Sequence, residues 1–308
     1  MSAPPQRRLG ATSTRHPEPR TDASRPEIGS SVLAGGIRTN FHDLGPARVT
    51  GEGRREEVGA VLLLHGSGPG VTAFANWRLT MPVLAEQRRV VAPDLVGFGY
   101  TERPAGFRYE LRAWVQHLVA FLDVLGLERV DVVGNSFGGA LALALALTER
   151  ARVRRLVLMG SVGLRFPITA GLEAVWGYVP SLEAMRHLLE LFVYDRSRID
   201  EALVRSRYEA SAGAAEAEAW ARLFPPPRQE RLDALAVPED ELRGLDVPAL
   251  VVHGRDDLVI PVETSYRLAS LLPVGDLHVF ARCGHWTQIE HAARFNALVD
   301  DFLRAEPL

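Results

Sequence analysis

Apolar residues along this chain fall into two kinds of pattern. Short continuous runs appear at Val61 to Leu64, Val90 to Ala92, Val130 to Val133, Leu156 to Met159, Ala249 to Val252 and Leu277 to Phe280. The first five end at His65-Gly66, Pro93-Asp94, Gly134, Gly160 and His253-Gly254. Runs this short, apolar on both faces and closed by Gly or Pro, predict buried parallel strands. Between them the period changes to that of a helix. Leu111, Val115, Leu118, Val119, Leu122 and Leu125 recur at helical spacing, as do Phe295, Leu298, Val299 and Phe302. Ala140 to Thr148 reads as a further strong helix. Strand–helix repetition of this kind predicts an α/β fold, a mostly parallel sheet with helices on both faces.

The alternation stops between residues 164 and 235. That stretch reads as helix only and is rich in Ala, Leu, Glu and Arg. It divides the core into residues 31–163 and 236–308 and is expected to cover the mouth of the sheet as a helical lid. Residues 1–30 differ again, with five Pro, five Arg and almost no large apolar side chain. Such a segment buries too little surface to offset its ordering entropy, so a disordered tail is expected. It lacks the apolar core of a secretory signal.

Composition removes several classes of chemistry. All 35 basic residues are Arg, against 38 acidic ones, for a net charge of −3. That balance gives no electrostatic case for nucleic acid or an anionic membrane as partner. Without a single Lys there is no Schiff-base chemistry, no P-loop and no Ser-x-x-Lys site. Cys283 stands alone, which excludes an intrachain disulfide and multi-Cys metal sites. No apolar run approaches the ~20 residues of a membrane helix. A soluble protein of a reducing compartment, the cytoplasm, is expected. The nine His include no pair at metal-ligand spacing, so no metal is expected. His65 and His253 read as turn or core residues, and His117, His187 and His291 as exposed.

One pentapeptide carries chemistry. Gly134-Asn135-Ser136-Phe137-Gly138 is a G-x-S-x-G sequence that follows an apolar strand and opens a helix. That context places Ser136 on a strained strand-to-helix turn at the carboxyl end of the sheet, where α/β proteins bind ligands. A serine nucleophile needs a base, and the base needs an orienting carboxylate. His285 follows the last strand, and Asp256 and Asp257 follow the one before it. The chain order Ser, Asp, His resembles that of α/β-hydrolases. Their pattern Gly-x-x-Asp-x-x-x-Pro matches Gly254, Asp257 and Pro261, which favours Asp257 over Asp256. The loop His65 to Gly70 supplies an oxyanion site, in which the backbone N–H groups of Ser67 and Phe137 are expected to face the developing charge.

Longer stretches sharpen the resemblance. His65 to Arg103, Val133 to Ala144, Arg207 to Ser211, His253 to Pro261 and Leu277 to Asn296 resemble the bacterial meta-cleavage product hydrolases. The Gly-Ser-Gly-Pro-Gly after His65 and the Cys-Gly-His-Trp ending at Trp286 are more specific than G-x-S-x-G. The resemblance spans residues 31 to 305. It implies the α/β-hydrolase fold, no cofactor, a homo-oligomer (dimer or larger) and a small-molecule substrate. The implied reaction is hydrolysis of a C–C bond in a 2-hydroxy-6-oxohexa-2,4-dienoate made by ring opening. It further implies that Arg207, in the insertion, binds the substrate carboxylate. Asn135 and Asn76 would hydrogen-bond the oxo or enol oxygen, and Trp286 would wall the pocket. Val162, Leu164, Trp176, Phe192 and Tyr194 are candidate walls on the acyl side. Two alternatives stand beside this reading: a generic carboxylesterase on the same fold, and a non-catalytic binding protein of that fold. Haloalkane dehalogenases and epoxide hydrolases are disfavoured, because Ser136 stands where their Asp would be.

Overall fold

The computed structural model describes residues 25–46 and 59–305. Its strands are, in chain order, β1 (Ser30–Ala34), β2 (Ile37–Leu44), β3 (Ala60–Leu64), β4 (Val90–Pro93), β5 (Val130–Asn135), β6 (Val153–Met159), β7 (Ala249–Gly254) and β8 (Gly275–Phe280). All lie in one eight-stranded sheet of order β1-β2-β4-β3-β5-β6-β7-β8. From β4 to β8 every neighbouring pair is parallel. The six apolar runs are the six strands of that parallel part.

β1 and β2 were not foreseen. They form an antiparallel hairpin, and β2 also runs antiparallel to β4. Gly35 and Gly36, at φ 55° and 84°, make the turn, the two-residue form that needs positive φ at both positions. The hairpin covers a face of the helix Leu111–Val124. His117, expected on the surface, is therefore buried there with its Nε2 2.8 Å from Thr39 Oγ1. His291 is also less exposed than expected, since its Nε2 lies 3.1 Å from the Arg282 carbonyl.

Side chains alternate across a pleated strand, and β3 displays the consequence. Val61 and Leu63 join Trp77, Met81, Leu84, Phe295 and Val299 in one hydrophobic layer. Leu62 and Leu64 join Leu118, Phe121, Leu122, Leu141 and Leu145 in the other. The helix Phe137–Thr148 is buried at every position from Phe137 to Ala146. A helix apolar on all sides suits only the middle of the molecule.

Register aligns the ends of the central strands. Leu64 pairs with Gly134, Asn135 with Met159, and Met159 with Val252. His65, Ser136, Gly160 and His253 thus emerge along one edge of the sheet. Residues 164–235 lie between β6 and β7 and contain the helices Ala170–Trp176, Leu182–Phe192, Glu201–Glu209, Ala214–Leu223 and Arg228–Asp233, with no strand. Side chains of Thr169, Ser181 and Asp200 accept backbone N–H bonds at three of their N-termini. Trp176 stacks on Phe224 at 4.4 Å, and Phe192 on Trp286 at 4.7 Å.

Of the N-terminal tail, residues 1–24 lie outside the described residues. Gly29 donates to Asn40 Oδ1, and Asn40 Nδ2 to the Glu27 carbonyl, so the chain is already tied to β2 before residue 31. No helix among the described residues is long and apolar enough to cross a membrane.

Candidate active site

Ser136 occupies the turn between β5 and the helix that follows, at φ 52° and ψ −113°. A non-glycine residue there stores roughly 1–3 kcal/mol of strain, which the surroundings must hold in place. The Ser136 N–H donates to the Met159 carbonyl at 2.8 Å, and the Ser136 carbonyl accepts from Gly139 and Val162. The two glycines of the pentapeptide are required by close approach. A Cβ on Gly138 would lie 2.3 Å from the Leu64 carbonyl oxygen, and one on Gly134 2.5 Å from that of Gly138.

The loop after β7 delivers Asp257, and the loop after β8 delivers His285. His285 Nδ1 lies 2.7 Å from Asp257 Oδ2. Asp256 points elsewhere, with its Oδ2 3.4 Å from the Cys283 N–H. Asp257 Oδ1 accepts from the backbone N–H groups of Val259 (2.7 Å) and Ile260 (2.9 Å). Burial by itself would raise this carboxyl's pKa. The neighbouring His285 and His253 outweigh that and hold it well below the usual carboxylate range. His285 and Asp257 crowd Gly160, the residue after β6: a Cβ there would lie 3.3 Å from the His285 ring and 3.5 Å from Asp257 Oδ2. Ser136 Oγ makes no hydrogen bond to His285 among the described residues; catalytic hydrogen bonds of this kind tighten in the reacting complex.

The loop after β3 is anchored by His65. Its Nε2 accepts from the Leu95 N–H at 2.9 Å, so Nδ1 carries the proton and donates to the Gly66 carbonyl at 2.8 Å. Burial lowers its pKa to about 4, consistent with a neutral ring that serves as scaffold. Trp176 Nε1 donates to Ser67 Oγ at 3.0 Å, which ties the insertion to this loop.

Above these groups lies a small cleft of about 80 Å³. Ser67, Asn76, Asn135, Arg207, His285 and Trp286 all line it. Ser136 is 3% exposed and sits below its floor, where a Cβ on Gly66 would come within 3.3 Å of Ser136 Cβ. Phe137 is buried behind Ser136 in the helix it opens. Asn76 Oδ1 accepts from the Gly66 N–H at 3.3 Å, and its buried Nδ2 has no partner among the described residues. Asn135 Nδ2 donates to the Met159 carbonyl at 3.3 Å. Of the candidate acyl-side walls, Phe192 lines the cleft and Trp176 reaches Ser67, while Val162 and Leu164 are buried in the core. Tyr194 is 47% exposed and does not line this cleft; its N–H is held by the Glu290 carboxylate.

Arg207 projects from the helix Glu201–Glu209 into this cleft and bonds the carbonyls of Gly70 and Pro69 through Nη2. It forms no ion pair among the described residues. Burial, and then the like charge of Arg78, lower its pKa. Arg78 lines the same cleft and was missed in the sequence, where nothing distinguishes it from the other Arg residues. Among the described residues no Asp or Glu lines the cleft. Arg78 is exposed, with its Nη1 on the Ala75 carbonyl at 2.6 Å, and Glu27 partly offsets the charge of Arg207; with two guanidiniums against one carboxylate, this end of the cleft suits an anion. Gln288 was also missed: it donates to the Asn76 carbonyl at 3.4 Å and leaves its buried Oε1 without a partner among the described residues. Among the described residues no group of three or more His, Cys, Asp or Glu could hold a metal ion.

Residues 59–292 match the alpha/beta hydrolase fold family. The chain is 54% identical to a 2-hydroxymuconate semialdehyde hydrolase from a Pseudomonas species, over 90% of this chain and 94% of that one. It is also 54% identical to a 2-hydroxy-6-oxo-2,4-heptadienoate hydrolase from Pseudomonas putida, over 91% and 98%. A solved meta-cleavage product hydrolase from Pseudomonas fluorescens, a serine-to-alanine variant complexed with acetates, superposes with a TM-score of 0.85 at 50% identity, over 90% of this chain and 97% of that one. The chain belongs to the meta-cleavage product hydrolases of the α/β-hydrolase fold.

Proposed function

We propose that this chain hydrolyses the C–C bond of a 2-hydroxy-6-oxohexa-2,4-dienoate-type ring-fission product, with Ser136 as nucleophile, His285 as base and Asp257 as its orienting acid. The observation that carries the reading is a pair of guanidiniums, Arg207 and Arg78, facing a cleft that also admits His285. An ester leaves as a stable alkoxide and needs no such pair. A carbon leaving group is a poor anion unless its charge spreads through the diene into a 2-oxo acid. Cations at the carboxylate end make that sink deeper.

The substrate carboxylate lies against Arg207 and Arg78, and the 2-oxygen near Asn76 Nδ2 and Asn135. Trp286, stacked on Phe192, walls the diene. A proton moved to C5, with His285 as carrier, gives the keto form. Ser136 then gives its proton to His285 and attacks the distal ketone, whose oxyanion is held by the N–H groups of Ser67 and Phe137. The C–C bond breaks, its electrons entering the dienolate, which leaves protonated as 2-hydroxypenta-2,4-dienoate. Water, deprotonated by His285, cleaves the acyl-Ser136 ester and releases the second carboxylic acid. Residues 164–235 act as a lid, since Arg207 and Phe192 complete the cleft from that side. The reading carries with it a cytoplasmic homo-oligomer.

The test is loss of the yellow absorbance of a ring-fission product. Ser136→Ala protein should bleach it at least ~10³-fold more slowly than the wild type. Undiminished bleaching overturns the serine's role.

A further inference from the structure

Asp257 does not serve His285 alone. His253, the last-but-one residue of β7, places its Nε2 3.2 Å from Asp257 Oδ2, the same oxygen that His285 Nδ1 meets at 2.7 Å. His253 Nε2 is also 3.0 Å from the Ile260 carbonyl, and its Nδ1 is 2.6 Å from Ser265 Oγ. Both atoms facing Nε2 are acceptors only, so Nε2 carries a hydrogen whatever the charge of the ring. Ser265 Oγ can donate to Nδ1 or accept from it. The ring is fully buried, and these contacts fix its plane. Oδ1 of the same carboxylate is taken up by the Val259 and Ile260 N–H groups. Three N–H groups therefore donate to this carboxylate, and the single His253 Nε2 hydrogen is shared between it and the Ile260 carbonyl.

We propose that His253 is a positioning residue that sets the basicity of His285 through their shared carboxylate oxygen. A hydrogen bond to the charged form of an acid weakens that acid's pull on any other proton. His253 thus dilutes the hold of Asp257 Oδ2 on the His285 Nδ1 proton. Without it, Oδ2 is a stronger acceptor, the His285 imidazolium is favoured, and the base is lost at a higher pH. The inference rests on the triad reading above and not on the identity of the substrate.

Other charged groups face this pair. Asp256 lies on the same loop, 3.8 Å from Arg255. Glu290 binds the Gly284 and Tyr194 N–H groups. The Cys283 thiol is pushed up to about 12, first by burial. Arg207 and Arg78 lie across the cleft. All remain in place when only position 253 is changed.

The experiment is the pH profile of kcat/KM for a simple ester such as p-nitrophenyl acetate, on the full chain. His253→Asn keeps a polar atom near Ser265 but is too short to donate to Asp257. His253→Gln puts an amide N–H near the lost Nε2. The acid limb of His253→Asn should move up by about 0.5–1 pH unit, and that of His253→Gln should return towards the wild type. Ser265→Ala, which unpins the ring, should shift the limb in the same direction by less; it supplies the test if His253→Asn does not fold. An unmoved acid limb in folded His253→Asn, or in Ser265→Ala should His253→Asn not fold, overturns the proposal, as does an equal shift in His253→Gln. If Ser136→Ala cleaves the ester as fast as the wild type, it is the triad reading that has failed.

Discussion

Replacing Arg207 by Met removes a cation while keeping most of the side chain's volume. Its Nη2 is engaged by the Gly70 and Pro69 carbonyls, which leaves the rest of the fork for a ligand. A guanidinium and a carboxylate about 4 Å apart attract by about 4 kcal/mol at an effective dielectric of 20. Desolvation takes part of this back, and truncating one partner of such a pair costs about 2–5 kcal/mol. Arg78 remains and supplies part of the field, so the lower half of that range applies. About 3 kcal/mol corresponds to roughly 150-fold in kcat/KM for the dienoate. A neutral ester cleaved by the same serine has no carboxylate to lose and should fall only a few-fold. Both rates come from absorbance, one from bleaching of the ring-fission product and one from p-nitrophenol release. Arg78→Met should act in the same direction with a smaller loss, and Arg207→Lys should recover only part, because the ammonium lacks the planar fork. Raising ionic strength should slow the wild type on the dienoate more than it slows Arg207→Met. If both substrates lose equally in Arg207→Met, the residue does no more than brace the Pro69–Gly70 loop, and the electron-sink argument fails.

Gly66→Ala puts a Cβ 2.8 Å from Asn135 Oδ1 and 3.3 Å from Ser136 Cβ. It should lower kcat by about tenfold or more while the fold survives, as small misplacements of reacting groups do; an unchanged kcat would show that the loop shifts freely. Stability should also depend on pH. Burial lowers the pKa of both His65 and His117 from 6.5 to about 4, so the unfolded chain takes up these protons first. Their stabilisation is complete above pH 6.5 and is lost as pH falls towards 4, roughly 3 kcal/mol for each. Asp94, raised by burial to about 6, works the other way and gains stability between pH 6 and 4. Two groups against one predict a melting temperature that falls on acidification, with a shallower fall in His117→Gln. A parallel fall in that variant would remove His117 from the account.

Local chemistry in the sequence determined the parallel strands and the strand ends at which Ser136, Asp257 and His285 lie. Runs such as Val130 to Val133 are too apolar to lie anywhere but inside, and the Gly-x-Ser-x-Gly turn is so tight that only a strand end can carry it. Asp257 and His285 follow strands in the expected order, and the structure joins them at 2.7 Å. The β1–β2 hairpin was less legible. Its outer strand is half exposed and lacks a dense apolar run, and Gly35-Gly36 was the one local signal that could have marked its turn. Tertiary structure alone decided the rest. Which of 35 Arg residues turn into one cleft depends on how the insertion meets the loop after β3, and no local spacing encodes that meeting. Arg78 and Arg207 are 129 positions apart in the numbering and have like charge, so no sequence rule pairs them. The contact of His253 with Asp257 likewise needs the bend between Gly254 and Pro261 to fold back on β7. A strand's burial follows from its own residues, but charges brought together across a cleft are set by the packing of elements that are distant in the chain.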